Sequence, residues 1–89
     1  MKKINLDHDF SFAMEAYERG VRLIVFNGKE EWVCRKEKVS RLKTFLSGND
    51  SRLFKGRLQL HKQNGSVGIE IKGTLIGKIS AEQFSQCLD

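Results

Sequence analysis

Five residues, Gly20, Ile24, Gly28, Glu37 and Ser40, recur 45 positions later as Gly65, Ile69, Gly73, Glu82 and Ser85. Apolar residues keep the same spacing at Phe26 and Ile71, Cys34 and Ile79, and Val39 and Phe84. A chain of 89 residues that spells one pattern twice has room for one small domain built of two similar units, about 1–48 and 49–89, and for little else. Each copy reads as a strand, a glycine turn, a second strand and a helix. A further strand precedes each, so the expected architecture is α+β: a β-β-β-α unit used twice about a pseudo-twofold axis, with both helices packed on one face of an antiparallel sheet.

The turns carry the clearest local signals. Asn27-Gly28, Asn64-Gly65 and Lys72-Gly73 tolerate positive φ and join segments rich in β-branched residues, as two-residue hairpins require. Arg22 to Phe26 and Glu31 to Arg35 form the first hairpin; Leu58 to Leu60, Val67 to Ile71 and Thr74 to Ile79 form the strands of the second unit. Val39, Leu42, Phe45 and Leu46 repeat at helical spacing within Lys36 to Leu46, with Gly48 at the cap position beyond it. Ser80, followed three residues later by Gln83, forms a capping box for a last helix that buries Ala81, Phe84 and Leu88. Residues 10–18 fit either a strand or a helix, and the repeat favours the strand.

Strand parity assigns faces. With Ile24, Phe26, Cys34, Leu58, Leu60, Ile69 and Ile71 turned to the helices, Leu23, Val25, Val33, Arg35, Arg57, Gln59, His61, Glu70 and Lys72 point away. Trp32 shares the parity of Cys34 and is expected against the helices. Leu23, Val25 and Val33 would leave an apolar centre on the outer face, and a strand apolar on both sides is one covered on both sides, by its own chain, a second copy or another protein.

Composition narrows the function classes. Sixteen Lys and Arg against eleven Asp and Glu give a net charge of +5, which favours anionic partners. Apolar residues at 39% and charged residues at 30% are those of an ordinary folded domain. No stretch approaches the ~20 apolar residues of a membrane span, and Asp7-His8-Asp9 interrupts the apolar residues after Lys2-Lys3, so the expectation is a cytoplasmic protein without membrane contact. Cys34 and Cys87 stand alone, without CxxC spacing, and read as small buried hydrophobes rather than a disulfide or a zinc site. Neither metal nor cofactor is expected.

Three near-motifs fail on spacing or context. Gly73 to Ser80 resembles a phosphate-binding loop, but its glycines are one residue too close and Ile79 separates Lys78 from Ser80. Gly65-Ser66-Val67-Gly68 lies in a hairpin, where a K-homology loop joins two helices. Asp7-His8-Asp9 lacks a fourth ligand. With two histidines and no neighbouring nucleophile, the chain is not expected to be an enzyme.

Tyr17-Glu18-Arg19-Gly20-Val21-Arg22-Leu23-Ile24 resembles the basic turn and strand of a PUR repeat, and Lys78-Ile79-Ser80-Ala81-Glu82-Gln83-Phe84 resembles its strand-to-helix junction. The resemblance extends to the PUR-repeat and Whirly group of single-stranded nucleic-acid-binding proteins, whose units usually carry four strands before the helix where three are read here. It implies a sheet face that holds single-stranded DNA or RNA. The residues available for that task are Arg35, Lys55, Arg57, Lys72 and Lys78 for phosphates and the rings of Tyr17 and Trp32 for bases. The rival expectation is a protein-interaction module or small homodimer, such as a phage- or plasmid-type accessory protein, docking through Leu23, Val25 and Val33.

Overall fold

The computed structural model describes residues 3–88. It contains two four-stranded antiparallel sheets and two helices. The first sheet runs β1 (Lys3–Asn5), β2 (Phe10–Tyr17), β3 (Gly20–Asn27) and β4 (Glu30–Lys38), in that spatial order, and leads into α1 (Val39–Ser47). The second runs β5 (Arg52–Leu53), β6 (Leu58–Gln63), β7 (Ser66–Ile71) and β8 (Thr74–Ser80), and leads into α2 (Ala81–Leu88). Four strands precede each helix, not three. The two that escape the sequence pattern, β1 and β5, are three and two residues long and too short to show alternation.

The turn chemistry holds. Asn64 and Gly65 have φ of 50° and 79°, and Lys72 and Gly73 have 52° and 83°, the paired positive angles of tight hairpins. In the first unit the pairing of Asn27 with Glu30 moves the loop on by one residue, to Gly28-Lys29. Residues 10–17 are a strand, paired along their whole length with β3. The first helix starts later than its periodicity suggests, because pairing of Val21 with Glu37 and of Gly20 with Lys38 keeps the chain extended. Lys36 and Lys38 therefore belong to β4 rather than to the helix expected from Lys36 to Leu46.

The face assignment is right in the second sheet and inverted in the first. The terminal pairs of the two long hairpins, Gly20 with Lys38 and Ser66 with Ser80, put Val21, Leu23 and Val25 in the places of Val67, Ile69 and Ile71. Those positions are 46 residues apart, so the 45-residue match runs one residue out of step with the strands, and a one-residue slip exchanges the faces. Leu23 and Val25 are fully buried and Val33 nearly so, within the cluster that also contains Leu42, Phe45, Phe84 and Leu88 of the helices. Leu23, Val25 and Val33 are thus core residues covered by their own chain, not an exposed interface. Ile24 and Phe26 lie on the opposite face with Ala13, and Cys34 is exposed rather than buried.

The core joins the inner sides of both sheets to both helices in one cluster. Phe12 of β2 stacks on Phe84 of α2 with ring centroids 6.2 Å apart, and the β1–β2 connection crosses β8, where the Asp7 amide donates to the Ile76 carbonyl at 3.2 Å. Gly77 permits that crossing: a Cβ there would stand 2.7 Å from the Cβ of Leu6. Irregular pairing displaces one residue in each sheet. Between Val33 and Glu31, Trp32 is the unpaired residue of a bulge. It lies against Phe10, centroids 5.2 Å apart, 37% exposed rather than packed on the helices.

Candidate anion-binding cleft

Four cationic side chains from separate segments converge where β4 and α1 meet the β5–β6 connection. The cleft, about 580 Å³, is lined by Arg35 of β4, Arg41 of α1, Asp50, Arg52 and Leu53 of β5, Phe54, Lys55, Gly56 and Gln59 of β6. Against Arg35, Arg41, Arg52 and Lys55 stand Asp50, in the lining itself, and Glu37, beside Arg41.

The floor is built by Phe54. This buried residue has φ of 73°, a conformation that costs a bulky side chain on the order of 1–3 kcal/mol. Arg35, across from Leu23 in the β3–β4 ladder, lays its guanidinium over the Phe54 ring with Cζ 4.1 Å from the centroid. The stack orients the guanidinium, and its Nε is buried without an acceptor. Such an orphaned donor carries a desolvation cost of roughly 1–3 kcal/mol, more for a charged group. On the wall, Arg52 Nη1 donates to Gln59 Oε1 at 3.1 Å, and Gln59 Nε2 donates to the Gly56 carbonyl at 3.3 Å, tying the loop to β6. Arg41 Nε lies 3.6 Å from Glu37 Oε2 and remains largely exposed.

The cleft opens onto the outer face of the second sheet through Arg52 and Gln59. Register aligns Arg52, His61, Gly68 and Lys78 across all four strands, so cations stand at both ends of one row. Adjacent strands are ~4.8 Å apart, which makes the row about 14 Å long. His61 Nε2 is 2.8 Å from Glu70 Oε2 but off the line of a good hydrogen bond. Leu75, 48% exposed, lies across Gly68, where an added Cβ would meet it at 3.0 Å.

The outer face of the first sheet is electrostatically different. Arg22 donates to Glu31 Oε1 at 2.9 Å and reaches Glu15 Oε1 at 3.3 Å; the Glu31 hydrogen bond, above all, raises its pKa further. Lys36 donates to the Tyr17 hydroxyl at 2.9 Å and sits 4.1 Å above its ring, and that hydrogen bond raises its pKa. Lys3 covers Phe26 at 3.9 Å. On this face Arg22, Lys36 and Lys3 are each engaged by neighbouring side chains.

Of the residues expected to bind nucleic acid, the structure brings Arg35 and Lys55 together in the cleft. Arg57 and Lys72 are neighbours at the far end of the β6–β7 hairpin, where the Lys72 amide donates to the Arg57 carbonyl. Lys78 ends the row on the second sheet, while Tyr17 is held under Lys36 and Trp32 against Phe10. Sequence reasoning missed Arg41, Arg52, Phe54 and Gln59. The clustering of Arg52, Lys55 and Arg57 within six residues is the signal in the sequence that points there.

Among the described residues, no group of His, Cys, Asp and Glu is placed to hold a metal, and no helix is long and apolar enough to cross a membrane. No family model, no curated protein and no solved structure matches this chain.

Proposed function

We propose that this chain is a small non-enzymatic protein that binds single-stranded DNA or RNA, gripping the phosphate backbone in the cleft and leading it over the second sheet towards Lys78. The observation that carries this reading is the convergence of Arg35, Arg41, Arg52 and Lys55 on one cleft, an excess of cations over the nearby Asp50 and Glu37. Neutralising a run of phosphates supplies most of the affinity in binding of this kind. The row from Arg52 to Lys78 carries a cation at each end of the second sheet, and Leu75 offers a base an apolar surface.

The element order lends support. Four strands and a helix, twice over, is the unit order that the resemblance to PUR-repeat and Whirly proteins implies. On that reading the two halves are related by a pseudo-twofold axis and both helices cover the shared inner side. A protein interface on Leu23, Val25 and Val33 has lost its surface, since all three are in the core.

The test is a comparison of charge reversals. Lys55→Glu is expected to weaken binding of a labelled mixed-sequence single strand at least about tenfold, and Lys29→Glu, the same change of charge in the β3–β4 turn, less than about threefold. Equal losses would mean that only net charge matters, and the cleft would not be the site.

A further inference from the structure

Strand binding accounts for the cations of the cleft but leaves unused the strained ring and orphaned donor at its floor. Phe54 is held at φ of 73°, and Arg35 stands over its ring with Cζ 4.1 Å from the centroid and with Nε buried and unpaired. The loop passes beside the guanidinium: a Cβ added at Gly56 would stand 3.6 Å from Arg35 Nη1, in ordinary contact. A guanidinium stacked on an aromatic ring presents its N–H groups in plane as a fork, which matches two oxygens of a phosphate. Arg41, Arg52 and Lys55 add three cations, against which stand Asp50 in the lining and Glu37 paired with Arg41, so the cleft of about 580 Å³ keeps an excess of about two positive charges. A phosphodiester brings one negative charge and two free oxygens, whereas a phosphate monoester at neutral pH brings roughly 1.5 to 2 charges and three acceptor oxygens.

We infer that the cleft is a socket for a phosphate monoester, received by Arg35 and enclosed by Arg52 and Lys55. The ligand is either the terminal phosphate of a nucleic-acid strand, which rests on the function proposed above, or the phosphate of a free nucleotide, which does not. In both cases the monoester meets the cations of Arg35, Arg52 and Lys55 that line the cleft.

The experiment holds ionic strength constant and titrates the protein with inorganic phosphate, a nucleoside monophosphate, and labelled strands of one sequence phosphorylated at the 5′ end, the 3′ end or neither. In the wild type, a phosphate at one end is expected to tighten strand binding about tenfold, and phosphate and nucleotide are expected to raise Tm. Arg35→Lys keeps the charge and loses the fork, and the gain should fall below about twofold. Lys55→Ala alters an exposed side chain without burying anything new, and the gain should fall to about threefold. Nucleotide binding without strand binding would uphold the socket and sink the nucleic-acid reading. Strands that bind equally with and without a terminal phosphate, together with an unmoved Tm in phosphate and nucleotide, would overturn the socket and leave strand binding intact.

Discussion

At the scale of single residues, the protein separates cations that hold the fold from cations left free. Arg22 is committed to two carboxylates and Lys36 to Tyr17, whereas Arg35, Arg52 and Lys55 face the cleft. The Lys36 pKa is raised above its ordinary 10.5, so its contact with Tyr17 persists at every lower pH and is lost only as alkaline pH carries the ammonium through the raised value. Glycines discriminate in the same way. Gly77→Ala drives a Cβ to 2.7 Å from Leu6 and is expected to cost about 1–3 kcal/mol in urea unfolding. Gly56→Ala meets nothing closer than 3.6 Å, and its cost should stay within about 0.5 kcal/mol. Val25→Lys places a charge in a fully buried site and is expected to abolish the cooperative thermal transition; a folded variant of altered mass would restore the interface reading. The residues that were legible in the sequence are those with one-sided alternation, such as Leu58, Leu60, Ile69 and Ile71. Leu23-Ile24-Val25-Phe26 is apolar without a break, so it carries no parity, and only the pairing with β4 decides which side is the core.

At the scale of elements, the helices depend on groups outside themselves. The last turn of α1 has no basic residue, and Lys62 of β6 supplies one, donating to the carbonyls of Phe45 and Gly48. Lys62→Met keeps the stem and removes the ammonium, and an expected loss of about 1–2 kcal/mol can be read from a urea midpoint. The α2 capping box forms as its sequence suggests: the Gln83 amide donates to Ser80 Oγ at 2.9 Å, and the Ser80 amide donates to Gln83 Oε1 at 3.0 Å. Ser80→Ala should cost about 1 kcal/mol. Caps and hairpin turns are read from sequence because their causes lie within four residues. The short β1 and β5, and the late start of α1, are imposed by partners distant in the chain, which is why they were hidden.

At the scale of the whole molecule, the net charge of +5 is distributed unevenly in its effect. On the first sheet Arg22 is neutralised by Glu15 and Glu31, while the junction of β4, α1 and the β5–β6 connection gathers four cations against Asp50 in the lining and Glu37 beside Arg41. The cations themselves were visible in the sequence; their convergence was not, because Arg35, Arg41, Arg52 and Lys55 meet only when the two halves pack on a common core. The most direct test of that arrangement is the salt dependence of single-strand binding. Anisotropy of a labelled strand between ~50 and ~200 mM salt should give a slope of log affinity against log salt of about −3, the value for four phosphate contacts on a single strand. A flat dependence, or no binding at the low-salt end, would contradict the account.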